Sequence, residues 1–231
     1  MSDHPHREIR SFVKREGRLT PGQQRALDEL FPQFGIAIDT ATPRPLDLPA
    51  QFGRDAPVTL EIGFGNGEAM ATMAAAAPEL NFIGIEVHRP GVGHLLLKVE
   101  EIGLTNVRAI NHDAVEVVRD FIPEQALDRV LVWFADPWPK KKHHKRRIIQ
   151  LAFVELLRSR LKPGCILHLA TDWQNYAEHQ LEVMDAAPGW ENAAGPGNYS
   201  AKPDYRPETK FERRGLKLGH GVWDLVYRRK D

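Results

Sequence analysis

The chain holds a single cysteine, Cys165, in 231 residues, so it can form no intrachain disulfide and a reducing compartment is the default. Cys165 lies in the apolar run GCILHLA and is expected to be an inert core residue. Net charge is also missing, because 31 Lys+Arg balance 31 Asp+Glu. Whole-chain charge therefore gives no hint of a polyanionic partner, and only local clustering can. No run approaches the roughly 18 apolar residues of a membrane span. The first residues, MSDHPHREIRSF, carry no apolar stretch of the secretory type. A cytoplasmic protein without a membrane anchor is expected. One cysteine and no convincing helical histidine pair leave no ligand set, so no metal is expected. There is no internal repeat and no low-complexity tract. What is there is an ordinary globular composition, 42% hydrophobic and 27% charged, in a length that suits one α/β domain with an extension.

Residues 1–56 read as a basic N-terminal arm and extension, with Arg7, Arg10, Lys14, Arg15 and Arg18. Thr20-Pro21 predicts a short helix running to about Leu30, and the proline-rich TATPRPLDLPA is expected to be extended. Residues 57–231 read as the main domain. VTLEI, NFIGIEV, NVRAI, DRVLVWFA and CILHLATD predict strands. Between and after them, GEAMATMAAAA, PGVGHLLLKVEEIG, AVEVVRDFI, KRRIIQLAFVELLRSRLKPG and WQNYAEHQLEVMDAA predict helices, the fourth stopped by Pro163-Gly164. Such alternation predicts a parallel sheet with helices on both faces. The late VWDLVYRR follows a long Gly/Pro-rich stretch and is expected to add as an antiparallel strand.

LEIGFGNGEAM sets Glu61, Gly63, Gly65 and Gly67 at a strand-to-helix turn. A dinucleotide loop of the G-x-G-x-x-G kind needs its third glycine at position 68, which is Glu68. A carboxylate there repels a pyrophosphate and argues for a cofactor with a positive or zwitterionic end. Glu86 closes the second strand, and Asp113 follows the third in NHDA. Three acids at successive strand ends around a glycine loop fit S-adenosylmethionine: Glu61 near its ammonium, Glu86 on the ribose, Asp113 on the adenine.

The fourth strand runs into DPWPKKKHHKRR. Asp136 stands at its carboxyl end, and Pro137 and Pro139 stiffen the loop. Trp138 packs on the core or stacks on a base; the sequence leaves both open. Six of the eight residues from Lys140 to Arg147 are cationic, with no acid among them. A solvated helix face is the ordinary fate of such a run, but self-repulsion of this density calls for an anionic partner, and phosphate backbone is the natural one.

LEIGFGNG, GIEVHRPGVG, DPWPKKKHHKRR, LKPG with ATD, and RPETKFERRGLKLGHGVWDL together resemble the bacterial tRNA (guanine-N7-)-methyltransferase family, over roughly Phe12 to Tyr227. The DPWPKK and TKFE segments are specific; the glycine loop is generic to methyltransferases. The resemblance implies a Rossmann-like class I methyltransferase fold with a seven-stranded, mostly parallel sheet, one strand antiparallel. It implies methylation of guanine 46 in the tRNA variable loop, without an obligatory protein partner; a homo-oligomer stays open. It implies that Glu61, Glu86, Asp113 and Asp136 face the donor, with Asp136 catalytic. Lys140, Asp172, Thr209, Lys210, Phe211 and Glu212 match substrate contacts, and Lys142, His143, His144, Lys145, Arg146 and Arg147 the RNA-interacting segment. Guanine N7 has a free lone pair, so His88, His143, His144 and His220 are not required as bases. Two other readings stay open at the level of residues: a methyltransferase for another RNA or a small molecule, and a non-catalytic RNA-binding protein on the same fold.

Overall fold

The structure, a computed structural model, describes residues 10–13, 17–208, 212 and 221–231. Five apolar stretches become β1 (Val58–Ile62), β2 (Asn81–Ile85), β3 (Val107–Ile110), β4 (Leu127–Trp133) and β5 (Leu161–Thr171). Each returns through a helix, so all five run parallel. β6 (Trp190–Asn192) and β7 (Trp223–Arg229) complete a sheet of order β3-β2-β1-β4-β5-β7-β6, in which β7 is antiparallel to both neighbours. This is the expected fold class.

Alternation along the strands feeds two cores, one on each face. Val130 and Val132 join Leu60, Ile83 and Leu167 beneath α6 (Ala114–Asp120), α7 (Leu151–Arg160) and α8 (Gln174–Ala186). Leu131 and Trp133 join Phe82, Met70 and Leu95 beneath α4 (Glu68–Ala76) and α5 (Arg89–Ile102). Thr20 opens α1 (Pro21–Arg25) with a reciprocal capping box to Gln23, and a π-helical turn leads into α2 (Phe31–Phe34). Read from sequence as an arm, residues 21–52 nevertheless bury Ala26, Leu30, Ile36 and Leu48. The Ile36 N–H donates to the Ala109 carbonyl at 2.9 Å, beside β3. Among the described residues no helix is long and apolar enough to cross a membrane.

Several local expectations are corrected. The basic run does not start the next helix: Lys141–Arg146 form a separate 3-10 turn and α7 begins at Leu151. Clustered cations oppose the positive end of a helix dipole, so the α-helix starts beyond them. Pro163-Gly164 do not stop that helix. It ends at Arg160, and Leu161 enters β5 at once. Proline and a left-handed Gly164 (φ +75°) sit instead in an exposed irregularity of β5, where pairing jumps from Leu127↔Leu161 to Arg129↔Ile166. The proline-rich stretch is not wholly extended either. Asp47 accepts from the Ala50 N–H at 3.1 Å and caps α3 (Leu48–Phe52).

Candidate functional site

The sheet order turns back between β1 and β4, and ligands of such sheets lie beyond the carboxyl ends at that point. β1 delivers Glu61 and the glycine loop there, β2 Glu86, β4 Asp136 and β5 Asp172. Gly63 (φ +74°) and Gly65 (φ +60°) need the left-handed region, and a Cβ on either would meet nothing within 4 Å. They expose backbone to open space. Gly67 differs: a Cβ there would lie 2.7 Å from Leu95, so this glycine packs the loop onto α5.

Gly63, Gly65, Glu86 and Asp136 line one cavity of about 420 Å³, to which Phe12 and Ile148 add apolar wall. The Gly65 N–H donates to Glu86 Oε2 at 2.9 Å, and the His88 N–H to Oε1 at 2.9 Å. Glu86 is thus a brace for the loop as well as a wall of the cavity. Asn111 Nδ2 donates to the Glu86 carbonyl at 2.7 Å and fixes that strand end. Glu61 is 4% exposed and its Oε2 has no partner among the described residues. Burial, with the Glu86 charge as a smaller cause, pushes its pKa up to about 8. It is therefore a neutral acid at pH 7. Asp113 caps α6, accepting from the Val115 N–H at 2.9 Å, and burial raises its pKa. Its side chain lines an adjoining cavity, with Arg10, Lys145 and Arg146, rather than the one that holds Glu86.

Asp136 is exposed and lines the main cavity. Among the described residues nothing donates to its carboxylate, so it does not cap the Pro137–Pro139 turn. Phe134 (φ +53°) and Trp138 (φ +45°) flank it in the left-handed region, a strained backbone of the sort found at functional loops. Asp172, half-buried, lines a second cavity on the other side of Gly63 and Gly65, together with Glu61.

The basic run divides. Lys140, Lys141, Lys142 and Lys145 are exposed. Arg147 is 2% exposed and turned inward, donating to the Pro137 carbonyl at 2.9 Å and to Asn175 Oδ1 at 2.7 Å. Its guanidinium also meets His144 Nε2 at 3.1 Å. Arg146 donates to the Arg10 and Phe12 carbonyls, each at 3.0 Å, and stacks 4.0 Å above Trp138, near the His143 ring. Trp138 Nε1 donates to the Ser11 carbonyl at 2.9 Å, which decides its role as packing. Of the expected RNA contacts, Arg146 and Arg147 are thus engaged with the protein itself. Thr209, Lys210 and Phe211 lie outside the described residues. Glu212 is buried, with its oxygens on Arg206 at 2.7 and 2.9 Å. Arg206 in turn meets Asp224, and Asp224 meets His168 Nε2 at 2.8 Å. The Glu212 carboxylate, expected on the substrate, is tied through Arg206 to Asp224 on β7.

A family model described as "Putative methyltransferase" matches residues 55–225. The chain is 59% identical over 224 residues to the tRNA (guanine-N(7)-)-methyltransferase of Alcanivorax borkumensis, covering 97% of this chain and 92% of that protein. The chain belongs to the tRNA (guanine-N(7)-)-methyltransferase family. The protein of that name from Yersinia enterocolitica is 56% identical, with 97% and 93% of the two chains covered. Among solved structures, the 16S rRNA methyltransferase KamB superposes with a TM-score of 0.57 at 17% identity, covering 81% of this chain and 95% of that one. A 16S rRNA (adenine(1408)-N(1))-methyltransferase gives the same TM-score, 0.57, at 17% identity over 85% and 95%. These last two bear on the fold alone.

Sequence reasoning missed three parts of this family member's site. Gly91, in HRPGVG, has no room for a side chain, since a Cβ would stand 2.1 Å from the Gly65 carbonyl oxygen. Ser11 and Phe12 reach the cavity from outside the glycine-loop region. Asn111 is the third. Its place in NHDA, two residues before Asp113, was a usable signal.

Proposed function

We propose that this chain transfers a methyl group from S-adenosylmethionine to N7 of guanine 46 in the variable loop of tRNA. The observation that carries the reading is one cavity bounded at once by Gly63, Gly65, Glu86 and Asp136, with exposed lysines starting at Lys140. The residues present fit the donor. Gly63 and Gly65 leave space, and Glu86 retains lone pairs for ribose hydroxyls beyond those it gives to Gly65 and His88. The unpartnered Glu61 oxygen is a buried acceptor suited to an ammonium group. When bound, S-adenosylmethionine supplies a methyl group activated by its sulfonium charge.

Guanine N7 carries a lone pair, so no side chain must first remove a proton. The protein's tasks are positioning and electrostatics. Asp136, exposed and unpartnered, accepts from the N1–H or amino group of the base. Its negative charge offsets the positive charge that methylation leaves on the ring. Asp172 is the second grip. N7 is out of reach of side chains in an A-form major groove, so the guanine must lie in a loop or be splayed out. Lys140, Lys141, Lys142 and Lys145 hold phosphates, while Arg147 ties their loop to α8 through Asn175. This reading requires tRNA as partner and no second kind of subunit. The test is incubation with labelled S-adenosylmethionine and bulk tRNA, followed by nucleoside mapping. Labelled 7-methylguanosine at position 46 is expected. Label in another nucleoside, or none in tRNA, overturns the proposal.

A further inference from the structure

Antiparallel pairing sets Thr171, the end of β5, directly opposite Trp223, the start of β7. Asp172 and Trp173 follow Thr171 at the same carboxyl edge that carries the glycine loop. Trp173 and Trp223 line one open recess of about 500 Å³ with Asp172, Asn175 and Glu178. Trp173 is 42% exposed. Among the described residues neither indole ring faces another ring or a cation, and neither indole N–H donates a hydrogen bond. The other tryptophans of the sheet edge differ: Trp133 meets His168, and Trp138 meets Arg146 and Ser11.

The backbone on the Trp173 side of the recess is hydrogen-bonded although the rings are unpartnered. The Trp173 N–H donates to Thr171 Oγ1 at 3.2 Å, and its carbonyl accepts from Tyr176 and Ala177 at 2.9 and 3.0 Å. Asn175 is held by Arg147, the buried end of the basic run. Asp172 lines both this recess and the cavity beside Gly63 and Gly65. A group gripped at Asp172 therefore has the glycine loop on one side and the two indoles on the other. Asp172 and Glu178 repel phosphate, which leaves the flat, uncharged part of a nucleotide as the ligand that matches the rings. Gly221 keeps Trp223 clear, because a Cβ there would stand 3.3 Å from its Cζ2.

We propose that Trp173 and Trp223 form a stacking platform for a second unpaired nucleobase of the RNA, next to the base held at Asp172. The inference rests on the reading of this chain as a tRNA methyltransferase. Stacked bases are sequence-tolerant and each contributes affinity without engaging a phosphate. The test compares tRNA binding by the parent, Trp173→Ala and Trp173→Phe across a salt series, with donor binding as the check on folding. Trp173→Ala is expected to weaken tRNA binding about tenfold, with the parent's salt slope and donor affinity. Trp173→Phe, which keeps a ring, is expected to restore most of the loss, and Trp223→Ala to resemble Trp173→Ala. A Trp173→Ala protein that binds tRNA like the parent overturns the platform. So does a loss accompanied by a shallower salt slope, or one that phenylalanine fails to rescue. Methylation by the parent is scored in the same assay. An inactive parent would sink the underlying reading, whereas an active parent indifferent to Trp173 sinks only the platform.

Discussion

The two halves of the sheet's carboxyl edge are built on opposite principles. On the β1–β2 side the polar groups, the buried Glu61 Oε2 apart, are already committed: Glu86 holds Gly65 and His88, Asn111 holds Glu86, and Gly91 admits the Gly65 carbonyl. On the β4–β5 side they are left open: Asp136 has no donor, the run's lysines are exposed, and Trp173 has no ring partner among the described residues. The first half is preorganised for a small ligand that must fit a fixed cavity. The second presents unsatisfied charge and flat surface, which suits a macromolecule that brings its own partners. The arginines of the basic run mark the border, for they look inward and brace the open half.

The sharpest way to break this comparison is Asp136→Asn. Asparagine keeps size and an acceptor oxygen but has no negative charge for the ring as N7 is methylated. Single-turnover rates at saturating donor and tRNA should fall by about 10²–10³, with both affinities close to those of the parent. A rate within about threefold of the parent would move the role to Asp172. On the committed side, Glu86→Ala should act on affinity instead. It removes a charged acceptor from the proposed ribose site and from the Gly65 N–H, an expected loss of about 1.5–3 kcal/mol in donor binding. Titration calorimetry with donor, and tRNA binding by filter retention, separate the two effects. Unchanged donor affinity would show that Glu86 serves the loop alone.

How much of this was legible in the sequence follows the same border. Strands β1 to β5 announced themselves as apolar runs between turn signals, and acids at their ends were visible by position. β6 was not, because Trp190–Asn192 is too short to show alternation. Arg146 and Arg147 could not be told from the lysines beside them by charge. The difference is one of donors: a planar guanidinium with five N–H groups satisfies backbone carbonyls that a lysine would leave unpaired. The carbonyls concerned belong to Arg10, Phe12 and Pro137, and only the fold brings the first two near. The tie between Glu212 and Arg206 was hidden for the same reason, since packing and not spacing reveals it.

The division of the run is itself testable. Replacing Lys141, Lys142 and Lys145 with Ala should flatten the log–log salt dependence of tRNA binding by about 0.7–0.9 for each phosphate that is no longer neutralised. Thermal stability should hardly move, because these side chains are exposed. Arg147→Ala should do the reverse. It removes a buried guanidinium and leaves the half-buried Pro137 carbonyl without its donor, and should lower the unfolding free energy by about 1–3 kcal/mol with little change in slope. A triple lysine variant with the parent's slope would make the run a solvated face.

The smallest effect concerns Glu61 and reads the committed half from inside. Its pKa of about 8 in the donor-free protein, against an ordinary 4.5, comes first from burial. The sign follows from linkage: the folded state binds the proton more tightly than the unfolded state. Glu61 therefore favours folding fully below about pH 4.5, and that contribution drains away as pH rises towards 8. An ammonium placed beside the carboxyl favours its ionised form, so donor binding should expel the Glu61 proton. Donor affinity should then climb with pH up to about 8, by no more than tenfold per unit, and level off above it. Calorimetry at pH 7 in buffers of different ionisation heat counts the proton directly. The donor's own amine titrates near the same range, but it does so equally against Glu61→Gln, so the difference between the two proteins isolates Glu61. That variant should bind donor more weakly and release no such proton. In the donor-free state at pH 8 it should be the more stable protein, since it replaces a buried, unpartnered acid with a neutral amide. Equal proton release by the two proteins would mean that Glu61 does not face the ammonium group.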